Sequence, residues 1–303
     1  MLIFPFANLS SIFQGHYIPI LGAEIISQNS LHSGQPQIRL KSVAIGNGLV
    51  SPLDTAYGYY ETLCTTNPGV KEPVFNETRC EIIASNLPRC MAVVQTCYDH
   101  PDTAICQAAN AVCRDGVLKW YDDEAAFIGG RSRFDITASC EMDDFCYLKS
   151  GLIGRYFNLN TTFAALGVPS SIKEFEIYSQ AVSEAFDLTN DFEMSLMPQL
   201  QYLLANQVDV LIYQGNLDLA GNTAAAKRWT ARMPWKGQPA FTSQDLKPWK
   251  SVVNGEEKVV GTFKEVWIRM IEEDEKRTRF SLVTINGAGH FVRGPLNPTK
   301  NIV

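Results

Sequence analysis

The sequence predicts an α/β fold in which a layered sheet is interrupted by a cysteine-rich helical insertion. Residues 16–28 (HYIPILGAEIISQ) have the pattern of a short amphipathic helix, and an apolar run at residues 39–46 follows as a buried strand. All eight cysteines lie in one block within residues 54–146, and apolar strands resume after it. A helix followed by a buried strand is typical of layered α/β domains, which carry such insertions between their strands.

Three more strands are predicted after the cysteine block. Residues 208–213 (VDVLIY) form a near-continuous apolar run that ends in a turn, as expected for a strand buried on both faces. Residues 258–268 follow the turn at Asn254 and Gly255, which predicts a hairpin strand, and residues 280–285 (FSLVTI) form the last buried run. With 303 residues and no linker or internal repeat, the chain has the length of one large domain or two small ones.

The cysteine spacing predicts a helical hairpin closed by disulfides. Cys90 and Cys97 lie seven residues apart, as do Cys106 and Cys113, so each pair falls on one face of a helix. If the two helices pack antiparallel, their cysteines can form only nested disulfides, in which one bond lies within the loop closed by the other. The remaining cysteines then pair with near neighbours in the sequence and close local loops. The predicted disulfides are Cys97–Cys106, Cys90–Cys113, Cys64–Cys80 and Cys140–Cys146.

Composition argues against several classes of partner. The chain has 26 basic and 32 acidic residues, for a net charge of −6, and has no Lys/Arg run, so nucleic acid is not an expected partner. No apolar run is long enough to span a membrane, and the start MLIFPFA lacks the basic region and cleavage site of a signal peptide. No Cys-x2-Cys spacing occurs and the histidines lie elsewhere, so we expect no metal site.

The cysteines also predict where the protein resides. An even number of cysteines that pair locally is typical of oxidising compartments, which favours the secretory pathway, with a vacuolar or extracellular destination. Two Asn-x-Thr triplets, at Asn76 and Asn160, are candidate glycosylation sites that agree with this compartment, and a third triplet, Asn8-Leu-Ser, lies in the first 14 residues, which are set aside below.

Two polar residues follow predicted buried strands and are candidates for catalysis. Asp218 comes shortly after the strand at residues 208–213, and His290 comes shortly after the last one. Functional side chains gather at the carboxyl ends of strands in such sheets. In a hydrolase triad an imidazole takes the proton of the nucleophile and a carboxylate orients the imidazole, and the chain order nucleophile, Asp, His is that of α/β-hydrolases. A helix cap at Asp218 and a tight turn before His290 are the structural alternatives.

Six short segments favour a catalytic role for Asp218 and His290 over a structural one. They are GHYIP (15–19), IGNGL (45–49), FDI (134–136), ALGV (165–168), LIYQGNLD (211–218) and NGAGH (286–290). In order and spacing they resemble the serine carboxypeptidases, over a stretch from residue 15 to about Pro298. The eight cysteines also fall where that family has the four disulfides of its insertion.

The resemblance implies an α/β-hydrolase fold, with the insertion of about residues 54–146 over the active site. It further implies a serine-type carboxypeptidase that releases a C-terminal amino acid from peptides or proteins through an acyl-enzyme, with Asp218 and His290 as catalytic residues and no cofactor. Tyr57 and Tyr60 match aromatic residues that line the substrate pocket of the family, although simple packing explains them equally well.

The segment before Gly15 departs from the family. The family has Gly-Glu-Ser-Tyr there, whereas this chain has Ser10, Ser11, Ile12 and Phe13, so Ile12 occupies the place of the nucleophile. An alkyl side chain cannot attack a carbonyl, so we expect this chain to be catalytically incomplete. We also expect residues 1–14 to be foreign to the family, as in a gene model that begins within an intron, and the sheet of residues 15–303 to be incomplete at its N-terminal side.

Other functions on the same scaffold stay open from the sequence. One is acyl transfer to a different acceptor, and the other is a non-catalytic protein that binds in the open pocket. Three polar residues are expected to be structural: Asn47 in a turn that requires positive φ, Asn216 near the end of a strand, and His16 packed in the interior.

Overall fold

The protein is described by a computed structural model. It covers residues 11–67, 69–121, 130–139, 150–253, 255–270 and 275–292. The predicted Cys140–Cys146 disulfide lies outside these residues.

The first part of the chain places a helix before a strand, as predicted, but the helix is longer than expected and the strand is buried on one face only, since Ser42 and Ala44 are exposed. The apolar pattern predicted residues 16–28, whereas α1 runs Ser11–Leu31 and includes Pro19. Strand β1 is shorter than the predicted run, at Ser42–Gly46.

The insertion is mainly helical. Helix α2 begins at Pro52, where the Ser51 hydroxyl accepts a hydrogen bond from the backbone N–H of Asp54, and such a cap satisfies a donor that the first turn leaves unpaired. Its elements are α2 (Pro52–Cys64), α3 (Glu77–Asp99), α4 (Thr103–Cys113), a π-helical turn (Arg114–Leu118) and the two-stranded pair β2 (Arg131–Ser132) and β3 (Asp135–Ser139).

The rest of the chain returns to the sheet after a run of short helices. The helices are α5 (Ser150–Phe157), α6 (Asn160–Leu166), α7 (Gln180–Thr189), a 3-10 turn (Asp191–Glu193) and α8 (Met197–Ala205). They are followed by β4 (Asp209–Gly215), α9 (Thr223–Arg232), α10 (Gln238–Thr242), β5 (Lys247–Val253), β6 (Glu256–Arg269) and β7 (Arg277–Ile285).

The central sheet of the described chain is mixed, with strand order β1-β4-β7-β6-β5. Strands β1, β4 and β7 are parallel, while β6 and β5 form the hairpin that the Asn-Gly turn predicted. Gly46 of β1 pairs with Tyr213, and Gly215 of β4 pairs with Ile285 of β7. The three parallel strands therefore end at the same edge of the sheet.

The sheet is covered mainly on one face. Val210 and Ile212 of β4 and Phe280 of β7 are fully buried on that face, while Leu211 and Tyr213 on the opposite face are only half-buried. Burial of branched and aromatic side chains on the covered face provides the main stabilisation of the sheet. The helical side of this core includes Ile18, Leu200, Leu203, Leu204 and Trp229.

Disulfides close the insertion in the arrangement that the seven-residue spacing predicted. Cys90 bonds to Cys113 and Cys97 bonds to Cys106, which ties α3 to the antiparallel α4 at two levels. A third disulfide, Cys64–Cys80, ties the end of α2 to the first turn of α3. The insertion has its own apolar core, in which Leu63, Ile83 and Val117 are fully buried.

The outer disulfide of the helical hairpin, Cys90–Cys113, is expected to contribute more to stability than the local Cys64–Cys80 bond. We predict that Cys90→Ala together with Cys113→Ala lowers the free energy of unfolding by about 3 kcal/mol, since a loop of this size loses its constraint on the unfolded chain. The measurement is urea denaturation followed by circular dichroism. The matched control is Cys64→Ala with Cys80→Ala, which opens a loop of 16 residues at a less buried site. Because the inner Cys97–Cys106 bond stays closed in the first variant, the two released loops are similar in size, and burial of Cys90 and Cys113 makes the difference. A larger loss in the control would contradict the prediction.

Candidate active site

The parallel pairing of β4 with β7 brings Asp218 and His290 together. Asp218 lies three residues beyond the end of β4, and His290 lies five residues beyond the end of β7. The His290 Nδ1 atom is 2.7 Å from Oδ2 of Asp218, and both side chains are about 1% exposed. The carboxylate can only accept, so Nδ1 carries the proton and Nε2 is the ring nitrogen that can act as a base.

Side-chain and backbone hydrogen bonds hold the two strand-end loops in register. Asn216 donates from Nδ2 to Oδ1 of Asn286 (3.2 Å) and accepts at Oδ1 from the N–H of Gly287 (2.9 Å). The N–H of Leu217 donates to the carbonyl of Ala288 at 2.9 Å. Gly287 has φ of 70°, which glycine adopts without strain and which lets the chain turn here. The predicted structural role of Asn216 is thus to link the loop of Asp218 to that of His290.

The β2–β3 segment supports His290 from the insertion side. The backbone N–H of His290 donates to the carbonyl of Phe134 at 2.8 Å, and the Phe134 ring centroid lies 5.0 Å from that of the imidazole. Gly289 packs so closely on the Phe134 carbonyl that a Cβ there would lie 2.4 Å from its oxygen. A residue larger than glycine would therefore displace the histidine from the insertion.

Three donors besides the imidazole satisfy the buried carboxylate of Asp218. Oδ1 accepts from the N–H of Ala220 (3.0 Å), and Oδ2 accepts from the N–H of Gly221 (3.1 Å). The third donor is Nδ2 of Asn47, at 2.6 Å from Oδ2. These bonds offset the cost of removing a carboxylate from water and fix the direction in which it faces His290.

Asn47 has a larger role than the sequence indicated. The structure confirms the predicted turn, since Asn47 has φ of 48° directly after β1. In addition, its Oδ1 accepts from the N–H of Gly215 at 3.0 Å, so the amide bridges the end of β4 and the Asp218 carboxylate. The sequence signal was the position of IGNGL at the end of a buried strand, which places Asn47 at the same sheet edge as Asp218.

Comparison with known proteins agrees with this geometry. A sequence model of the family "Serine carboxypeptidase" matches residues 10–300. The chain belongs to the serine carboxypeptidase family. It is 29% identical over 281 residues to carboxypeptidase Y of Candida albicans, which is 92% of this chain and 46% of that protein. It is 30% identical over 287 residues to a carboxypeptidase Y homolog A of Arthroderma gypseum, at 94% and 48% coverage.

The fold is also that of a solved carboxypeptidase. The structure of Kex1(delta)p, a prohormone-processing carboxypeptidase from Saccharomyces cerevisiae, superposes with a TM-score of 0.64 at 16% identity. The match covers 92% of this chain and 57% of that one. The likeness establishes the shared fold. The chain spans about half the length of the curated relatives that it matches.

The two tyrosines that resemble pocket residues of serine carboxypeptidases lie on α2. Tyr57 and Tyr60 are half-buried and pack against the core of the insertion. The Arg228 guanidinium lies 4.2 Å above the Tyr57 ring, a cation–π contact, and its Nε is 2.8 Å from Oδ1 of Asp54. Arg232 also binds the Asp54 oxygen, at 2.7 Å. Tyr57 is therefore part of the anchor between α2 and α9, and a pocket role for either tyrosine stays a prediction.

A buried phenol supports the first turn of α2. The backbone N–H of Leu53 donates to the hydroxyl oxygen of Tyr98 on α3 at 3.1 Å. Burial is the main cause that raises the pKa of Tyr98 above its ordinary value, so the phenol stays neutral in the folded protein. Tyr98 thus links α3 of the insertion to the first turn of α2.

Ile12, which the family resemblance predicts at the position of the nucleophile, falls in the first turn of α1, and its side chain lies outside what the structure describes. The same helix approaches the loop of Asn47 closely, because a Cβ on Gly15 would lie 2.4 Å from the backbone of Leu49. The first turns of α1 therefore pack directly against the loop after β1, which contains Asn47. Arg293 and Gly294, which follow His290, also lie outside the described residues.

Within the described ranges, no group of three His, Cys, Asp or Glu side chains could hold a metal ion. None of the helices in the part of the chain that the structure describes has the length and apolar character that crossing a bilayer requires.

Asn47 offers a test of the carboxylate network. We predict that Asn47→Gly lowers the free energy of unfolding by about 2 kcal/mol, because a buried charged acceptor and a buried N–H both lose their partner. Asn47→Ala should cost about 1 kcal/mol more, because alanine is strained at positive φ whereas glycine is not. Urea denaturation of the three proteins gives both differences. Equal stability of the glycine variant and the wild type would show that the amide bridge contributes nothing.

Proposed function

We propose that the edge of the sheet at Asp218 and His290 is the catalytic site of a serine-type carboxypeptidase, whose substrates are the C-termini of peptides and proteins. The observation that carries the proposal is the 2.7 Å contact between His290 Nδ1 and a buried carboxylate that three other donors hold in place. Membership of the serine carboxypeptidase family supports it. No metal or cofactor is required by this chemistry.

The geometry suits acyl transfer through an imidazole base. In such a site a serine hydroxyl attacks the last peptide carbonyl while Nε2 of His290 takes its proton. The imidazolium then gives the proton to the leaving amine, so that the C-terminal amino acid departs and the acyl group stays on the serine. Water attacks the ester with the same base and releases the shortened peptide. Asp218 holds the proton on Nδ1 throughout and stabilises the imidazolium.

Ile12 in the position of the nucleophile determines what this chain can do. An alkyl side chain has no lone pair with which to form the acyl-enzyme, and neither Ser10 nor Ser11 is expected to replace it, because a shift of one residue on a helix rotates a side chain by about 100°. The chain with Ile12 is therefore inactive as a peptidase in this proposal. Binding of peptide C-termini without cleavage is the function that remains to it.

A serine-reactive phosphonate probe tests both parts of the proposal. The full chain with Ile12 is expected to remain unlabelled, since labelling requires an activated hydroxyl. Ile12→Ser is expected to become labelled, and adding His290→Gln to it should slow labelling at least about 10³-fold. Intact-mass spectrometry after timed incubation gives the rates.

Three outcomes of that experiment would count against the proposal. Labelling of the wild type that Ser11→Ala abolishes would make Ser11 the nucleophile. Absence of labelling in Ile12→Ser would show that the Asp218–His290 pair does not serve this position. Labelling that His290→Gln leaves unchanged would remove the imidazole from the chemistry.

We also propose that the protein resides in the secretory pathway, with a vacuolar or extracellular destination. The three disulfides of the insertion support an oxidising compartment. Asn76 and Asn160 are exposed, as glycan attachment requires. Asn76 also caps α3, where its Oδ1 accepts from the N–H of Arg79 at 3.0 Å, and this leaves Nδ2 for a glycan.

Two substitutions separate the role of Asn76 as a glycosylation site from its role as the N-cap of α3. The protein is expressed through a secretory pathway. Thr78→Ala should remove one glycan and keep the helix cap, so the variant should migrate faster in a gel than the wild type. Glycosidase treatment of the wild type should abolish this difference in mobility. Asn76→Gln should remove the same glycan and also lower the free energy of unfolding by about 1 kcal/mol through loss of the cap. An unchanged mobility in both variants would show that Asn76 is not modified.

A further inference from the structure

The loop that leads to His290 contains an Asn-Gly pair, Asn286 and Gly287. In such a pair the asparagine side chain is readily attacked by the next backbone nitrogen, because glycine has no side chain to hinder the approach. A base first removes the proton of the glycine N–H. The nitrogen then bonds to Cγ of the asparagine, and ammonia leaves. Water opens the resulting succinimide to aspartate or isoaspartate.

The Asn-Gly pair is accessible to solvent. Gly287 is exposed, and no described atom lies within 4 Å of the position that a Cβ would take there. Asn286 is half-buried beside it. Solvent can therefore supply both the base and the water that the reaction needs, so burial alone does not protect this pair.

The side chain of Asn216 binds both groups that would react. Its Oδ1 accepts from the N–H of Gly287 at 2.9 Å, and its Nδ2 donates to Oδ1 of Asn286 at 3.2 Å. On the other side, Asn286 donates from its backbone N–H to the carbonyl of Val260 (2.8 Å) and from Nδ2 to that of Val259 (3.4 Å). The nitrogen that would attack is therefore already bonded, and the amide carbon cannot turn towards it until these contacts break.

We propose that Asn286 is a latent deamidation site and that Asn216 protects it. The reaction needs water and no enzyme. Asn216 is 8% exposed, so water competes little for its two hydrogen bonds, and they hold the reactive pair apart more firmly than they would at the surface. This proposal does not depend on peptidase activity.

Deamidation would loosen the loop that holds His290. Isoaspartate places an additional methylene group in the main chain ahead of Gly287, which carries its N–H away from Asn216. The next hydrogen bond between the two loops runs from the N–H of Leu217 to the carbonyl of Ala288, at 2.9 Å. A shift there moves the chain that continues to the histidine. Protection by Asn216 therefore preserves the position of the imidazole as the protein ages.

Peptide mapping by mass spectrometry measures deamidation at each asparagine. The full chain is incubated in mildly alkaline buffer, with and without urea, and is then digested with trypsin. Asn286 falls in the tryptic peptide 280–293 and is its only asparagine. We expect Asn286 to react at least about tenfold more slowly in the folded wild type than in urea, because hydrogen bonds must break before the attack. Equal rates would refute the protection.

Two substitutions test whether Asn216 is the protecting residue. Asn216→Ala removes both contacts and is expected to raise the rate at Asn286 at least about tenfold. Asn216→Asp keeps an acceptor for the N–H of Gly287, so its rate should stay close to that of the wild type. The Asn-Gly pair at Asn254, alone in the peptide 251–258, is the matched reference and should react equally in all three proteins. An unchanged rate at Asn286 in Asn216→Ala would overturn the proposal.

Asn47 reports whether Asn216→Ala still folds. It also precedes a glycine, but it is buried, and its amide binds Asp218 and the N–H of Gly215. Faster deamidation at Asn286 with Asn47 unchanged supports the proposal. If Asn47 also reacts, the alanine variant has lost its fold and Asn216→Asp decides. Slow reaction of Asn286 in that variant supports protection, and fast reaction overturns it.

Discussion

The arrangement of the site depends on the parallel pairing of β4 with β7. This pairing sets Gly215 beside Ile285, so the chains that leave the two strands emerge side by side at one edge of the sheet. Asp218 and His290 are separated by 72 residues of sequence and reach hydrogen-bond distance only because of it. The loop contacts of Asn216 then keep the two side chains within hydrogen-bond distance. The acid–base pair is thus a product of sheet register, which local sequence at either residue does not determine.

The insertion is fastened to this sheet at two points that serve different purposes. Near the site, the Phe134 carbonyl accepts from His290, so the β2–β3 segment bears directly on the imidazole. Farther away, Asp54 of α2 binds two arginines of α9, the helix that follows the Asp218 loop. The Asp54 carboxylate is buried, but both guanidinium groups are partly exposed. Solvent therefore screens the two ion pairs, and they contribute less to stability than fully buried pairs would. Their main effect is to fix the orientation of α2 and with it Tyr57.

The parts of the fold that followed from the sequence are those encoded by short repeating patterns. The apolar runs predicted β4 and β7, and the seven-residue cysteine spacing predicted the nested disulfides, because each pattern reflects the geometry of one element. The partners of Asn47 and His16 could not be predicted in this way. Asn47 meets Asp218 across 171 residues and His16 meets Asp191 across 175 residues, and no local pattern records such a contact. The extension of α1 to Leu31 was missed because its last turns are polar and exposed.

The nested disulfides have a consequence for limited proteolysis. The bend between α3 and α4, at residues 100–102, is exposed, and both the Cys97–Cys106 and Cys90–Cys113 bonds span it. An endopeptidase that cuts this bend would yield two polypeptides that remain covalently joined at two levels. The nicked species would keep its hairpin and migrate as one band in a gel, and it would separate into fragments only after a thiol reductant is added.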